Sequence, residues 1–577
     1  MANKTRCFFI KLSYNFVKIK LDFFWEVDYT EYRLHRRVKM YLNVIVPVPS
    51  ERISYKKSND PEARYIYYVT KRYRNKNGTP TGDEKLIGKE YPAKPGWMVP
   101  NKRYFTLFPN QREIQPMQSP VNIRQAGQGM FLTMLAENLG LTGVLKEIFP
   151  DVWRELLMCT IYMVCEGNVM MNADFFWDEI QVPKDFSLSS QRISELFHSL
   201  SDDAPLDFFK AWSKLTLENH ETVAYDVTSV STYADHEMAE YGYNRDREVL
   251  PQVNFGLLYG SLNRLPVAYA LYSGSINDLT FFPYMMRLAE EVGASDVFYV
   301  MDRGFVTQKN IAFARKNEIE FLACAPKGEK LYKQEIQRVS EEIQHPKYRI
   351  PGTELNGLVV TLDIEGSDYG LYIYFSKTNA ALEENKLYQH IDRLENEIKS
   401  EMKPKHHNRY NKFYKIESTG EGEICSYERD YNKIAEACKL LGMFSLLSTK
   451  ETMTATEALD IYRGRAGIEK VYDVSKNELE ADRFLTHTGK TTRGKHFVHF
   501  LALILWCDLS RKAKSCKKKP EKTIERILLQ MKKIKCLNYE KIGRVLEEPL
   551  TRQQKDILDC CGINEDDFTK RILTSGL

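Results

Sequence analysis

Three acids in this 577-residue chain are placed where they could act together on a phosphodiester. Asp226 and Asp302 each end a short apolar run, and Glu469 lies within Tyr462-x2-Arg465-x3-Glu469-x6-Lys476. With about 100° per residue, Tyr462, Arg465, Glu469 and Lys476 fall at roughly 0°, 300°, 340° and 320° around a helix. One helical face then carries a carboxylate flanked by two cations and a phenol. The carboxylate suits a metal ion, and the cations suit phosphates held beside it. Phosphodiester cleavage needs a nucleophilic oxygen in line with the leaving oxygen and charge-absorbing groups on both, which two divalent cations about 3.5–4 Å apart supply. Three carboxylates without cysteine or histidine predict Mg²⁺ or Mn²⁺, two ions, because hard cations prefer oxygen ligands.

The elements that must position these acids follow from the pattern of apolar residues. From about 222 the chain turns to short, β-branched runs: TVAYDVTSVS, VNFGLLYGSLNRLPVAYALY, DVFYVMDRGF and IEFLACAP. These read as successive strands, several buried on both faces. Gly260 to Pro266 supplies a hairpin turn and TQKNIAFARKN a short helix, so the segment 217–326 predicts a mixed sheet with helices packed on it. Residues 327–439 interrupt the pattern with strands, a charged helix and the basic-aromatic tract KPKHHNRYNKFYK at 403–415. LLGMFSLLS then resumes it, and TATEALDIYRGRAGIEKVYDVSKNEL reads as one helix carrying Glu469 within a second core part at 440–512. Gly464 and Gly467 are costly inside a helix, by about 1 kcal/mol each, and suit close approach by another backbone, such as nucleic acid.

The flanking regions are of other kinds. Residues 121–216 show apolar spacings of three and four and helix-capping starts, which predict a helical bundle. Arg192, in that region, reads as a surface arginine. Residues 40–120 are strand-like and basic, with Lys71, Arg72, Arg74 and Lys76 among tyrosines before a break at Asn77-Gly78, a combination that fits either a solvated strand face or DNA contact. Residues 1–39 have no clear period and read as an extension outside the working fold. The tail 513–577 reads as helical, with a cationic linker.

The net charge of +4 neither requires nor excludes nucleic acid, because local patches do the binding. Eleven cysteines without a Cys-x2-Cys pair read as reduced cytosolic thiols, neither a disulfide frame nor a zinc site. The apolar stretch 7–25 is broken by Lys11, Lys18, Lys20 and Asp22, which argues against a signal peptide or a membrane span.

The boxes Tyr225-Asp-Val-Thr-Ser229, Asp302-Arg-Gly-Phe305 and Tyr462-Arg465-Glu469-Lys476 resemble those of DDE transposases of bacterial insertion sequences that carry the YREK signature. The resemblance extends to YGYNRD at 241–246, GSLNRLP at 260–266, SGSINDLTF at 273–281, Asn310, SSQRIS at 189–194 and RGKHFVHFLAL at 493–503, so it covers most of 122–510. A lone match to the four-residue spacing would arise by chance about once in a hundred chains of this length. Its placement downstream of two strand-borne aspartates makes the match specific.

The resemblance implies a multidomain α/β protein: an RNase H-like mixed-sheet core split by a β-rich insertion. It implies metal binding and catalysis by Asp226, Asp302 and Glu469, with Tyr462, Arg465 and Lys476 holding phosphates near the cleaved end. Arg303 is a further candidate for DNA contact, or equally for a structural ion pair. The resemblance also implies transposon-end DNA and target DNA as partners, with 121–216 as the end-binding region, handled by a homodimer on paired ends joined through 513–577, on nucleoid-associated DNA in a bacterial cytoplasm. Glu469 follows Asp302 by 167 positions and Asp302 follows Asp226 by 76, which matches the family's habit of an insertion before the glutamate.

Relatives use that insertion to hold a hairpin or flipped base, often with a tryptophan. None of the six tryptophans here falls within it, so stacking is expected from Tyr410, Phe413, Tyr414 or another aromatic. Lys403, Lys405, Arg409, Lys412 and Lys415 alternate with those aromatics and suit phosphate contact. His406-His407 reads as part of a solvated loop, and His496, on an apolar helix, as a packed core residue. Two other readings stay open at this point: a non-catalytic DNA-binding protein derived from a transposase, and a stand-alone RNase H-like nuclease.

Overall fold

A computed structural model of the chain describes residues 44–574 apart from short internal segments, of which 58–62 and 117–121 are the longest. The expected extension 1–39 lies outside the described residues. The described residues form two compact units, divided between 119 and 120.

The first unit is an antiparallel sheet. Ile53–Lys57, Arg64–Arg74, Pro80–Glu90 and Trp97–Pro100 follow one another as a meander, and Val44–Pro47 then pairs with Trp97–Pro100 on one side and Gln115–Pro116 on the other. Its core is Val46, Ile66, Ile87, Met98 and Tyr104. Tyr104 sits on the short helix Lys102–Leu107, whose first N–H groups are taken by the Asn101 side chain. Lys71, Arg72 and Arg74 lie exposed at the far end of Arg64–Arg74.

The second unit is built on a mixed sheet. Its strands are β1 (Thr222–Thr232), β2 (Gln252–Gly260), β3 (Pro266–Ser273), β4 (Phe298–Met301), β5 (Phe321–Ala325), β6 (Leu355–Ile364), β7 (Ser367–Ser376) and β8 (Met443–Ser448). Their order across the sheet is β3-β2-β1-β4-β5-β8-β7-β6. The first three pair antiparallel, β4 and β5 run parallel to β1, and β8, β7 and β6 continue antiparallel. Every residue of β2 is buried, as an apolar strand covered on both faces must be. The β2–β3 hairpin turns at Asn263, whose side chain accepts from Leu265 N and donates to Thr216 O, with Arg264 at φ 57°.

The insertion over 327–439 is not a separate β-rich body. Its hairpin, β6 and β7, pairs with β8 and so extends the core sheet, because β7 is buried over most of its length and needs a partner on each side. The rest is largely helical: Lys330–Val339, the 24-residue Lys377–Ser400 and Tyr431–Cys438, with one two-stranded ribbon, Tyr414–Ser418 and Ile424–Arg429.

The tail also differs from expectation. Beside its helices it contributes the strands Lys535–Tyr539 and Gly543–Leu546, and the first of these pairs with Asn122–Gln125. The tail therefore closes on the helical region 127–216 within its own chain. Here Cys516 and Cys560, 44 positions apart, are joined as a disulfide with Cα atoms 5.4 Å apart. That corrects the expectation of thiols throughout: helix ends this far apart in sequence leave no local spacing to read.

A 27-residue helix, Gly489–Ser515, packs across the sheet. His496 lies between Phe255, Tyr269 and Phe484, the packed core residue its apolar setting implied. Next to it Lys495 is only 3% exposed, and burial pulls its pKa from 10.5 down to about 7. The unfolded chain then binds more protons than the native one between about pH 7 and 10.5, so this lysine destabilises the fold below that window and the cost fades as pH rises through it. Lys495→Met should raise the unfolding temperature at pH 6–7 and leave it little changed near pH 10, as read by thermal melts across pH; equal shifts at both ends would refute the burial argument.

Candidate active site

The parallel pair β1–β4 sets the first two acids side by side. Phe298 is opposite Thr222 and Val300 opposite Ala224, a constant offset of 76 that also relates Asp302 to Asp226. The interval in sequence is the register of the sheet. Asp302 does follow the last residue of β4, but Asp226 is not at a strand end: β1 runs on to Thr232, because Val227–Ser231 continue to pair with β2. Asp226 is nonetheless the one half-buried position in the middle of an otherwise buried strand. Its Oδ1 accepts from Val227 N at 2.8 Å.

Glu469 arrives on a segment that the sequence reading took as one helix. It comprises α1 (Ala455–Gly464), a turn at Arg465, α2 (Ala466–Asp473) and a wide π-helical turn over Val474–Glu478. Thr454 and Glu457 form a capping box that starts it. Arg465 keeps helical dihedrals, φ −56° and ψ −29°, so Tyr462, Arg465 and Glu469 stay on one side. Lys476 falls in the wide turn, where about 100° per residue no longer applies, and lies half-buried there. The four-residue face is thus three residues plus a lysine set by a different geometry.

Arg465 is the hub of the site. Its guanidinium lies 3.4 Å from Asp226 Oδ2 and 2.5 Å from Glu469 Oε1, and its side chain is 12% exposed. Burial opposes its charge, but Tyr462, Asp226, Asp302 and Glu469 outweigh burial and raise its pKa above the usual arginine value. The Tyr462 hydroxyl is shifted up by burial first, then by the Cys324 thiol, with Asp302 adding and Arg465 opposing. It is therefore a proton donor at neutral pH. Its ring also lies under Arg465, 5.6 Å from the guanidinium carbon.

Two positioning residues left little trace in the sequence. Tyr472, one turn after Glu469, donates to the backbone carbonyl of Asp226 at 2.6 Å and lies 3.3 Å from that of Phe255. Gly467 lets α2 lie on β2: a Cβ there would stand 2.6 Å from the Tyr259 ring. That contact replaces the expected approach of nucleic acid as the reason for this glycine. Gly464, by contrast, has its nearest neighbour, Ser261 Cβ, at 3.8 Å.

Among the described residues no group of three or more His, Cys, Asp and Glu side chains is arranged to hold a metal ion. The donor chemistry nevertheless fits a hard divalent cation, since the acids offer only oxygen. The space between Asp226 and Glu469 already accommodates positive charge, that of Arg465.

The remaining candidates are scattered. Arg303 begins the short turn Arg303–Phe305, and its side chain lies outside the described residues, as does Lys403. Lys405, Lys412 and Lys415 are exposed, while Arg409 pairs with Glu397 at 3.0 Å. His406 Nε2 hydrogen-bonds Asn411 Oδ1 at 2.8 Å. Tyr410, Phe413 and Tyr414 are buried with Ile391, Leu394 and Ile398, so the aromatics of the tract are the core of this subdomain and cannot stack on bases. Alternation of basic and aromatic residues here marks an amphipathic surface. Tyr431, 68% exposed, is the outward-facing aromatic that follows.

Residues 218–505 match the family model described as the transposase DDE domain. This chain carries a DDE transposase domain. The domain contains all three acids and the Tyr462–Lys476 segment. No curated protein matches the chain by sequence. Among solved structures, the piggyBac transposase synaptic complex with hairpin DNA is similar at 11% identity and TM-score 0.35, over 72% of this chain and 70% of that one. A pre-cleavage Mos1 transpososome is similar at 10% identity and TM-score 0.13, over 38% of this chain and 66% of that one.

The two glycines give opposite expectations. Gly467→Ala should destabilise the protein by about 1–3 kcal/mol through the clash with Tyr259, whereas Gly464→Ala should be neutral or stabilise by up to about 1 kcal/mol. Urea unfolding of the two variants checks this, and equal effects would contradict the packing described.

Proposed function

We propose that the protein is an insertion-sequence transposase of the cut-and-paste kind. The observation that carries this reading is the convergence, inside a DDE domain, of Asp226, Asp302 and Glu469 around Arg465 and Tyr462. Asp226, Asp302 and Glu469 would hold two Mg²⁺ or Mn²⁺ ions, which lower the pKa of the attacking water and absorb charge on the leaving oxygen. Metal binding requires Arg465 to yield its place between Asp226 and Glu469. A guanidinium freed from those carboxylates is suited to fork onto a phosphate of the bound end.

Tyr462, kept protonated, would donate to a phosphate oxygen, and Lys476 would add a point charge at the edge. In the first reaction water adds to phosphorus and the bond to the transposon 3′ oxygen breaks, leaving a 3′-OH and a 5′-phosphate. In the second that 3′-OH gives up its proton and attacks a target phosphodiester, whose own 3′ oxygen leaves. The exposed Lys405, Lys412 and Lys415, with Lys403, Arg409 and Arg303, would contact the DNA backbone away from the reacting bond. Two ends must be joined in one event, so a homodimer on paired ends in a bacterial cytoplasm is the working form.

Incubation with end-containing DNA, Mg²⁺ and a target plasmid should yield joined products. Glu469→Gln should lower both cutting and joining by about a hundredfold or more, with end binding retained in gel shift. Cutting without joining would instead identify a nuclease, and binding alone a DNA-binding regulator. Retained cutting by Glu469→Gln would remove that residue from the site.

A further inference from the structure

The tail contains a charge concentration that the site above does not use. Residues 511–535 hold eleven lysines and arginines and two acids, in a chain whose net charge is only +4. The fold gathers part of this tract into a groove of about 660 Å³. Arg526, Lys532, Lys533 and Lys535 line it with Gln125, Leu529 and Gln530, and among the described residues no acid is part of the lining.

The local structure explains the grouping. Arg526, Leu529, Gln530 and Lys533 are spaced three and four apart, which places them on one face of the helix Ile524–Lys532 and its C-cap. Lys535 begins the next strand and is the register partner of Gln125 on Asn122–Gln125, so their side chains stand together on one face. Acids nearby are engaged at the rim: Glu521 with Arg526 at 3.1 Å, Glu166 with Lys532 at 2.6 Å, Glu547 with Lys535 at 3.7 Å. Lys533 donates to Gln530 Oε1 at 3.2 Å and pairs with no carboxylate among the described residues. Leu529, 57% exposed, leaves an apolar strip between the cations.

We infer that this groove binds the phosphate backbone of duplex DNA, as a second contact apart from the catalytic site. Its wall of cations matches a polyanion, while both amides that could read a base edge are engaged within the protein, Gln125 with Glu179 Oε2 at 3.0 Å and Gln530 with Glu521 Oε1 at 2.9 Å. The contact is therefore sequence-independent and serves to retain DNA already engaged, in line with the large electrostatic share of such binding. Identifying the polyanion as DNA rests on the transposase reading given above.

The test is duplex binding without Mg²⁺, by fluorescence anisotropy over a salt series, using wild type, the Lys533→Glu/Lys535→Glu variant and the Lys533→Arg/Lys535→Arg variant. The charge-reversed protein should bind an arbitrary duplex at least about tenfold more weakly, with the slope of log affinity against log salt reduced by about two. The arginine variant should bind like wild type. Unchanged affinity and slope in a charge-reversed protein with wild-type melting temperature would overturn the inference, and so would absence of duplex binding by wild type. A change in oligomeric mass without a change in DNA affinity would make the groove an interface between copies instead. Binding through the groove by a protein that neither cuts nor joins would leave the groove standing and overturn the transposase reading.

Discussion

The parallel pairing of Thr222–Thr232 with Phe298–Met301 is the constraint on which the site depends. Hydrogen bonds between these strands hold one register, and that register alone sets Asp302 level with Asp226. A slip by one residue would turn an aspartate to the other face of the sheet, among buried apolar side chains. Burial on both sides of these strands makes such a slip costly, so the fold's core energetics and the placement of two acids are one and the same specification. The short length of Phe298–Met301 matters as well. It ends where Asp302 must leave the sheet, while its neighbour continues to Thr232.

Acids gathered around one guanidinium raise an electrostatic problem, since like unit charges about 4 Å apart repel by roughly 4 kcal/mol at an effective dielectric near 20. Arg465 answers it from within the chain. Poorly exposed and contacted by Asp226 and Glu469, it cancels charge that would otherwise push the helical segment off the sheet. Tyr472 and the bare Gly467 hold the same segment down by a hydrogen bond and by close packing. Three different forces thus converge on two turns of helix.

Much of this was legible from the residues. The apolar runs gave away the strands because both-face burial leaves continuous β-branched segments, and the Tyr462–Glu469 spacing worked because Arg465 keeps helical dihedrals despite its turn. Lys476 was misplaced for a physical reason: a π-helical turn changes the angle per residue, and nothing in VSKNE announces it. Asp226 looked like a strand end because VTSVS carries hydroxyls, yet those hydroxyls are buried, and Ser231 donates its own to Glu248. Tyr410, Phe413 and Tyr414 were read by composition, which cannot separate an inward aromatic from an outward one; the helix Lys377–Ser400 that covers them comes earlier in the chain.

The long interval before Glu469 has a structural logic that sequence distance hides. The chain leaves the sheet at Phe321–Ala325, and the strands Leu355–Ile364, Ser367–Ser376 and Met443–Ser448 then build outward from and back to that same strand. An exposed edge beside the acids would invite pairing with another chain, and three antiparallel strands move that edge away from them. The return through Met443–Ser448 brings the chain back directly beside Phe321–Ala325, from where Ala455–Gly464 starts. Glu469 is therefore delivered from a strand adjacent to the one that follows Asp302, however many residues intervene. An insertion at this point can lengthen or change its outer helices without moving the acids, because its two attachment strands are neighbours bonded to the core sheet.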